Sequence, residues 1–160
     1  MFDKFGEFDS VEELNMSAEG LKREGDTASL IELAVENGID KEDAQDYIDG
    51  CVDKLATPLM AAMGKLKVES EELKPREIMA DWLEYIKMQV TESEMMAAAV
   101  REKGKSLNGC IAELLKWSFK NQIPVDEDVL KAAGVSANRV TLGIPGMGTA
   151  KRIIDAYYMG

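Results

Sequence analysis

The apolar positions of this chain fall into short clusters with helical spacing. Leu30, Ile31, Leu33, Ala34 and Val35 lie between Asp26 and the pair Asn37-Gly38, and Ala44, Tyr47 and Ile48 lie between Asp40 and Gly50. Spacings of three and four place such residues on one side of an α-helix. A Ser or Asp just ahead of the cluster can accept hydrogen bonds from the free amides of the first turn, and a Gly just behind it tolerates the left-handed backbone that ends a helix. The first third therefore predicts three short helices, residues 10–22, 27–36 and 41–49. Ser10, Asp26 and Asp40 cap them, and Gly20 with Gly25, then Asn37-Gly38, then Gly50 stop them.

The rhythm continues. Thr57-Pro58 opens a fourth helix through Met60, Met63 and Leu66 toward Leu73, with Pro58 where a missing amide costs nothing. Lys74-Pro75 breaks it. A longer helix is expected over residues 75–102, carried by Ile78, Met79, Trp82, Leu83, Ile86 and Val90. Its stripe weakens over 91–93 and resumes at Met95, Met96, Ala99 and Val100. Gly104 is a stop. From Ser106 or Asn108, the residues Cys110, Ile111, Leu114, Leu115, Trp117 and Phe119 nearly encircle another helix, which predicts a place at the centre of a core. Asp126 caps a short helix ending at Ala133-Gly134. One further helical turn is expected over 136–141, and a last helix over 149–158 follows a glycine-rich turn.

No stretch alternates apolar and polar as a half-buried strand would. The expected fold is all-α. It is a compact multi-helix bundle of short helices, with an N-terminal helical module over 1–56 and a helical core over 57–160. The core ends in a helix-hairpin-helix-like element, and the two parts are also readable as one continuous domain.

Composition narrows the chemistry. Hydrophobic residues make up 46% of the 160, enough for a real core rather than a disordered chain. Ten Met against ten aromatics suggest a core of Leu, Ile, Ala and Met. Histidine is absent, which removes the commonest general base and metal ligand. Cys51 and Cys110 lie too far apart for a metal or redox motif and are expected to be reduced, mostly buried thiols. The carboxylate-rich stretch 37–50 lacks the alternating oxygens, central glycine and closing glutamate of a calcium loop. No catalytic residue, metal site or cofactor is expected. Residues 1–9 lack the apolar stretch of a secretory leader, and no run reaches the length of a membrane span, so a cytoplasmic protein is expected.

Charge changes the picture most. Residues 1–60 hold sixteen Asp/Glu against five Lys/Arg, a net of −11, while residues 61–160 hold fourteen of each. The acidic third reads as solvated helix faces that aid solubility, or as a face that meets a partner protein with a basic surface, such as one that handles nucleic acid. From Val129 onward the balance reverses: Lys131, Arg139, Lys151 and Arg152 stand against Asp155 alone.

The most specific local signal is the turn Gly143-Ile144-Pro145-Gly146-Met147-Gly148. It resembles the hairpin of helix-hairpin-helix elements, whose glycines let the backbone approach a DNA phosphate. Gly146, Gly148 and Thr149 would then offer amides at a positive helix end, with Lys151 and Arg152 as counter-charge for weak, sequence-independent backbone contact. Read instead as a tight interhelical turn, Gly146 and Gly148 would supply unusual dihedrals, and Ile144, Met147, Ile153 and Ile154 would be core. No Gly-Lys-Ser/Thr follows, so this is not a nucleotide-binding P-loop.

Three central segments carry a family resemblance: residues 82–86 (Trp-Leu-Glu-Tyr-Ile), 91–97 (Thr-Glu-Ser-Glu-Met-Met-Ala) and 103–116, from Lys103-Gly104-Lys105 through Cys110-Ile111 to Lys116. Over roughly residues 75–125 the chain resembles the PcfK-like family carried by conjugative plasmids and integrative elements. The resemblance implies a non-enzymatic accessory protein of mobile DNA. Some members are similar to inhibitors of type II CRISPR nucleases, and no catalytic residues come with the family.

Overall fold

The computed structural model describes all residues 1–160. Nine helices follow in order: α1 (Val11–Glu24), α2 (Thr27–Glu36), α3 (Lys41–Ile48), α4 (Pro58–Leu73), α5 (Ile78–Glu92), α6 (Glu94–Arg101), α7 (Leu107–Lys120), α8 (Glu127–Ala132) and α9 (Met147–Met159). The only strands, β1 (Ile123–Pro124) and β2 (Thr141–Leu142), form a two-residue antiparallel ribbon that pairs Ile123 with Leu142 and Pro124 with Thr141. The fold is all-α, and no helix is long and apolar enough to cross a membrane.

Side-chain caps set most helix starts. The oxygens of Ser10, Asp26, Thr57, Ser93, Ser106 and Asp126 each accept from an amide of the first turn. Gly25 closes α1 with a left-handed φ of 72°, whereas Gly20 lies inside that helix rather than ending it. Asp40 makes no cap bond and pairs instead with Lys67 of α4 at 3.1 Å.

The helix expected over 75–102 is two helices. Ser93 takes extended backbone, ends α5 and caps α6, so the polar break outweighs the continuing apolar stripe. The turn expected over 136–141 is not helical, because Val140 accepts from the Val125 amide and Thr141 joins the ribbon. A ribbon strand, not a helix, thus leads into the glycine-rich turn. In α7 only Leu107, Cys110 and Leu114 are buried. Leu115 and Phe119 are 54% and 76% exposed, so α7 packs by one face at the edge of the core rather than at its centre.

Two apolar clusters form. The first gathers Phe8, Val11, Leu14, Leu30, Leu33, Tyr47 and Leu55 from α1–α3 and their flanks. The second gathers Leu66, Trp82, Ile86, Val90, Met96, Leu114 and Ile154 from α4–α7 and α9. Helix α4 serves both, with Ala61 in the first and Ala62 in the second.

The seam between the clusters is polar and closely packed. A Cβ on Gly64 of α4 would lie 2.2 Å from the Asn37 carbonyl oxygen, and one on Gly38 would lie 2.1 Å from the Gly64 oxygen, so backbone touches backbone. Beside this contact the Lys65 ammonium is buried. It donates to the Glu102 and Lys105 carbonyls at 2.8 and 2.6 Å and pairs with Glu7 at 2.8 Å, which matches three donors with three acceptors. Arg101, buried at the end of α6, donates to the Phe8 carbonyl at 3.3 Å and to Asn37 Oδ1 at 3.1 Å. Glu69, one turn beyond Lys65, accepts from the Leu107 amide at 3.0 Å. Residues 1–9 are thereby tied down as a strap across the seam, and Glu36 accepts from the Lys4 and Phe5 amides at 3.0 Å each.

Candidate binding surfaces

The acidic third folds so that its charge faces outward. Thirteen of its sixteen carboxylates are exposed and none is buried. Ten of them, including Glu42, Asp43, Asp46, Asp49 and Asp53, have no ion-pair partner. Along α3 and its C-cap, Glu42, Asp46 and Asp49 recur at intervals of four and three and form an exposed stripe, because Ala44 and Tyr47 occupy the buried side. No basic residue lies in the last turn of α3 to offset it.

At the other end, Gly146 is the N-cap of α9, with a φ of −61° that any residue adopts, and it makes no side-chain cap bond. Neither Gly146 nor Gly148 has positive φ, and a Cβ on either would meet open space. Unusual dihedrals are therefore not the reason for these glycines. Ile144 and Met147 are 60% and 49% exposed rather than core, while Ile154 is buried and Ile153 packs partly against it. Thr149 and Arg152 come together near the start of α9, with Arg152 Nη2 donating to Thr149 Oγ1 at 3.1 Å. Lys151 is turned toward α5, its Nζ 5.2 Å from the centre of the Tyr85 ring. The Tyr85 hydroxyl in turn donates to Asp155 at 3.1 Å. Of the five residues singled out at the turn, the structure joins Thr149 with Arg152 and leaves Gly146 and Gly148 open beside them.

Two surfaces were missed by sequence reasoning. One is apolar: Leu115 and Phe119, one turn apart on α7, lead to the opposed ribbon pair Ile123 and Leu142, both 60% exposed. The other is a groove of about 890 Å³ between α1 and the segment 50–58. No local motif marks the groove, since its walls are far apart in sequence.

Chemistry is sparse elsewhere. No group of Cys, Asp or Glu is placed to hold a metal ion. Cys51 is exposed, contrary to expectation, because residues 51–54 form an irregular surface segment; Cys110 is buried, which pushes its thiol up to about 12. The stretches that carry the PcfK-like resemblance lie in α5, across the Ser93 break, and from the α6–α7 connection into α7. No family model, curated protein or solved structure matches the chain.

Proposed function

We propose that the chain is a non-enzymatic accessory protein of a mobile genetic element, and that it acts by binding a partner with a basic surface through its acidic N-terminal module. A protein that handles nucleic acid is the partner class, since the Lys and Arg that line a phosphate-holding groove attract clustered carboxylates equally. A type II CRISPR nuclease is the case suggested by the PcfK-like resemblance. The observation that carries this reading is the placement of charge: a net of −11 on residues 1–60, displayed mostly on exposed carboxylates, eight of which have no ion pair.

The test is binding of the full chain to a purified type II CRISPR nuclease, measured from ~0.05 to ~0.5 M NaCl. Affinity should fall steeply with salt and drop when Glu42, Asp46 and Asp49 are all changed to Lys. Binding that ignores both salt and these changes, or no binding at all, would overturn the reading for that partner.

A second reading is weak, sequence-independent DNA contact at the Pro-Gly-Met-Gly turn. It is favoured by the uncapped, open start of α9 beside Arg152. Retardation of duplex DNA at low salt, lost in Lys151→Glu with Arg152→Glu, is its expected signature. Unretarded DNA would sink it.

A further inference from the structure

The end of α7 and the ribbon beyond it stand outside both apolar clusters. From residue 121 to residue 144 no side chain is buried, and neither cluster takes a residue from this stretch. A two-stranded ribbon has little stability of its own. This one is fixed to α7: the Gln122 side chain donates to the Ser118 carbonyl and accepts from the Thr141 hydroxyl, each at 2.8 Å. A Cβ on Gly143 would lie 2.8 Å from the same Ser118 oxygen. Leu115 and Phe119 share one face of α7, and the opposed Ile123 and Leu142 share one face of the ribbon. All four are more than half exposed and held in a preformed arrangement.

Their exposed side chains amount to roughly 400–500 Å² of apolar surface. A standard protein interface covers about 800 Å² on each partner, a little over half of it apolar. The apolar share of one such face is therefore present, and exposed polar residues such as Lys116, Asn121 and Gln122 surround it.

Charge selects the occupant. Residues 107–148 hold four Asp/Glu and four Lys/Arg, so this end is neutral on a chain of −11. It holds no net attraction for a phosphate backbone or a basic partner, and here two copies can meet with their acidic modules turned away. The charges are also self-complementary. Lys116 pairs with Glu113 and Lys131 with Asp128, which leaves Lys120 at the α7 end, and Asp126 and Glu127 against Arg139 at the far end, without ion pairs. Lys120 precedes Ile123 by three residues, and Asp126 follows it by three. A twofold axis through the Ile123–Leu142 pair brings Lys120 of each copy to Asp126 and Glu127 of the other.

We propose that this face binds a second copy of the chain, forming a twofold dimer with Leu115, Phe119, Ile123 and Leu142 at its centre and reciprocal Lys120 to Asp126/Glu127 pairs at its rim. Such a contact is isologous and closes at two copies. It is independent of the acidic-docking reading and leaves both acidic modules free.

The experiment is sedimentation equilibrium of the full chain. A reversible dimer is expected, with a dissociation constant on the order of 10–100 μM near ~0.15 M NaCl. Phe119→Asp should raise that constant at least about tenfold. Lys120→Glu and Glu127→Lys should each raise it about threefold to tenfold, and the double variant should recover most of the loss, which a structural role for either residue would not produce. A monomer at ~500 μM, growth beyond the dimer, or a dimer indifferent to Phe119→Asp would overturn the proposal. A double variant no tighter than the weaker single would overturn the twofold pairing. Concentration-dependent amide shifts of the wild-type chain, expected at residues 115–127 and 139–142, decide the matter even if a variant folds poorly; shifts confined to other residues would refute the face.

Discussion

Gly64→Ala sets two rules of protein stability against each other. Gly64 lies in the interior of α4, where Ala is intrinsically better than Gly by about 1 kcal/mol. The seam opposes the change. The added methyl would lie 2.2 Å from the Asn37 oxygen and 3.2 Å from the Gly38 carbonyl carbon. Ordinary contact begins near 3.4 Å, and both obstacles are backbone, so neither can move aside by changing a rotamer. Either α4 or the α2–α3 turn must retreat by roughly 1 Å, which loosens the Lys65 and Arg101 bonds beside it. Overpacking of this kind costs about 1–3 kcal/mol, and rigid backbone on both sides places this case at the upper end. The net loss is about 2 kcal/mol, or a fall in Tm of about 4–8 °C for a chain of this size.

Gly20→Ala is the matched control. Gly20 is also interior to a helix, and a Cβ there meets nothing within 4 Å. It should gain about 1 kcal/mol and raise Tm by about 2–4 °C. Thermal unfolding followed by far-UV circular dichroism measures both. If Gly64→Ala stabilises as Gly20→Ala does, α4 does not touch residues 37–38, and the account of how the two apolar clusters join is wrong.

Lys65→Met removes the donor to the Lys105 carbonyl, one of the two donors to the Glu102 carbonyl and the partner of Glu7; a loss of about 2–4 kcal/mol is expected, with faster chymotryptic cleavage at Phe5 and Phe8 as the strap loosens. Burial raises the Glu69 carboxyl above the usual glutamate range, so the folded state holds a proton more tightly than the unfolded state. Stability from this group therefore grows as pH falls through its folded pKa toward the ordinary value. Glu69→Gln should be at least as stable as wild type near pH ~7, and its advantage should shrink by pH ~5 in denaturant melts. Phe119→Ser should shift Tm by no more than the equivalent of about 0.5 kcal/mol, since the ring is 76% exposed; a drop of about 3 kcal/mol would restore α7 to the centre of the core.

Helix ends were the most legible feature of the chain, because caps act locally. Ser10, Asp26, Thr57, Ser106 and Asp126 each do at short range what their side chains allow. Burial of charge was not legible. Nothing local to Lys65, Glu69 or Arg101 marks them as buried, although Lys65 and Glu69 extend the stripe begun by Ala61 and Ala62, three and four residues apart. That alignment was the available signal, but only the arrival of residues 1–9 and 102–107 supplies the partners that make burial tolerable. Helix α7 misled for the converse reason. Its ring of apolar residues predicts enclosure on all sides, but packing reaches only one side and leaves Leu115 and Phe119 in solvent. The α1 groove lies beyond any local pattern, since the bond from Asn15 to Ala56 spans 41 residues.

The stripe on α3 offers a way to separate charge kept for binding from charge kept for solubility. Asp46 lies four residues after Glu42, three after Asp43 and three before Asp49. Like charges at such spacings each cost a few tenths of a kcal/mol, and an acid in the last turn of a helix opposes its dipole. Asp46→Lys turns these repulsions into attractions and places a cation at the negative helix end, at a position that is exposed and without an ion pair. The change should stabilise the fold by roughly 1–2 kcal/mol, raising Tm by about 2–8 °C. On the binding reading, the same variant loses affinity for a basic partner, so stability and binding move in opposite directions. A more stable Asp46→Lys variant that still binds the nuclease with wild-type affinity and salt dependence would show that the stripe serves solubility alone. A variant that loses both stability and binding would mean that Asp46 holds the fold together, contrary to its exposed, unpaired setting.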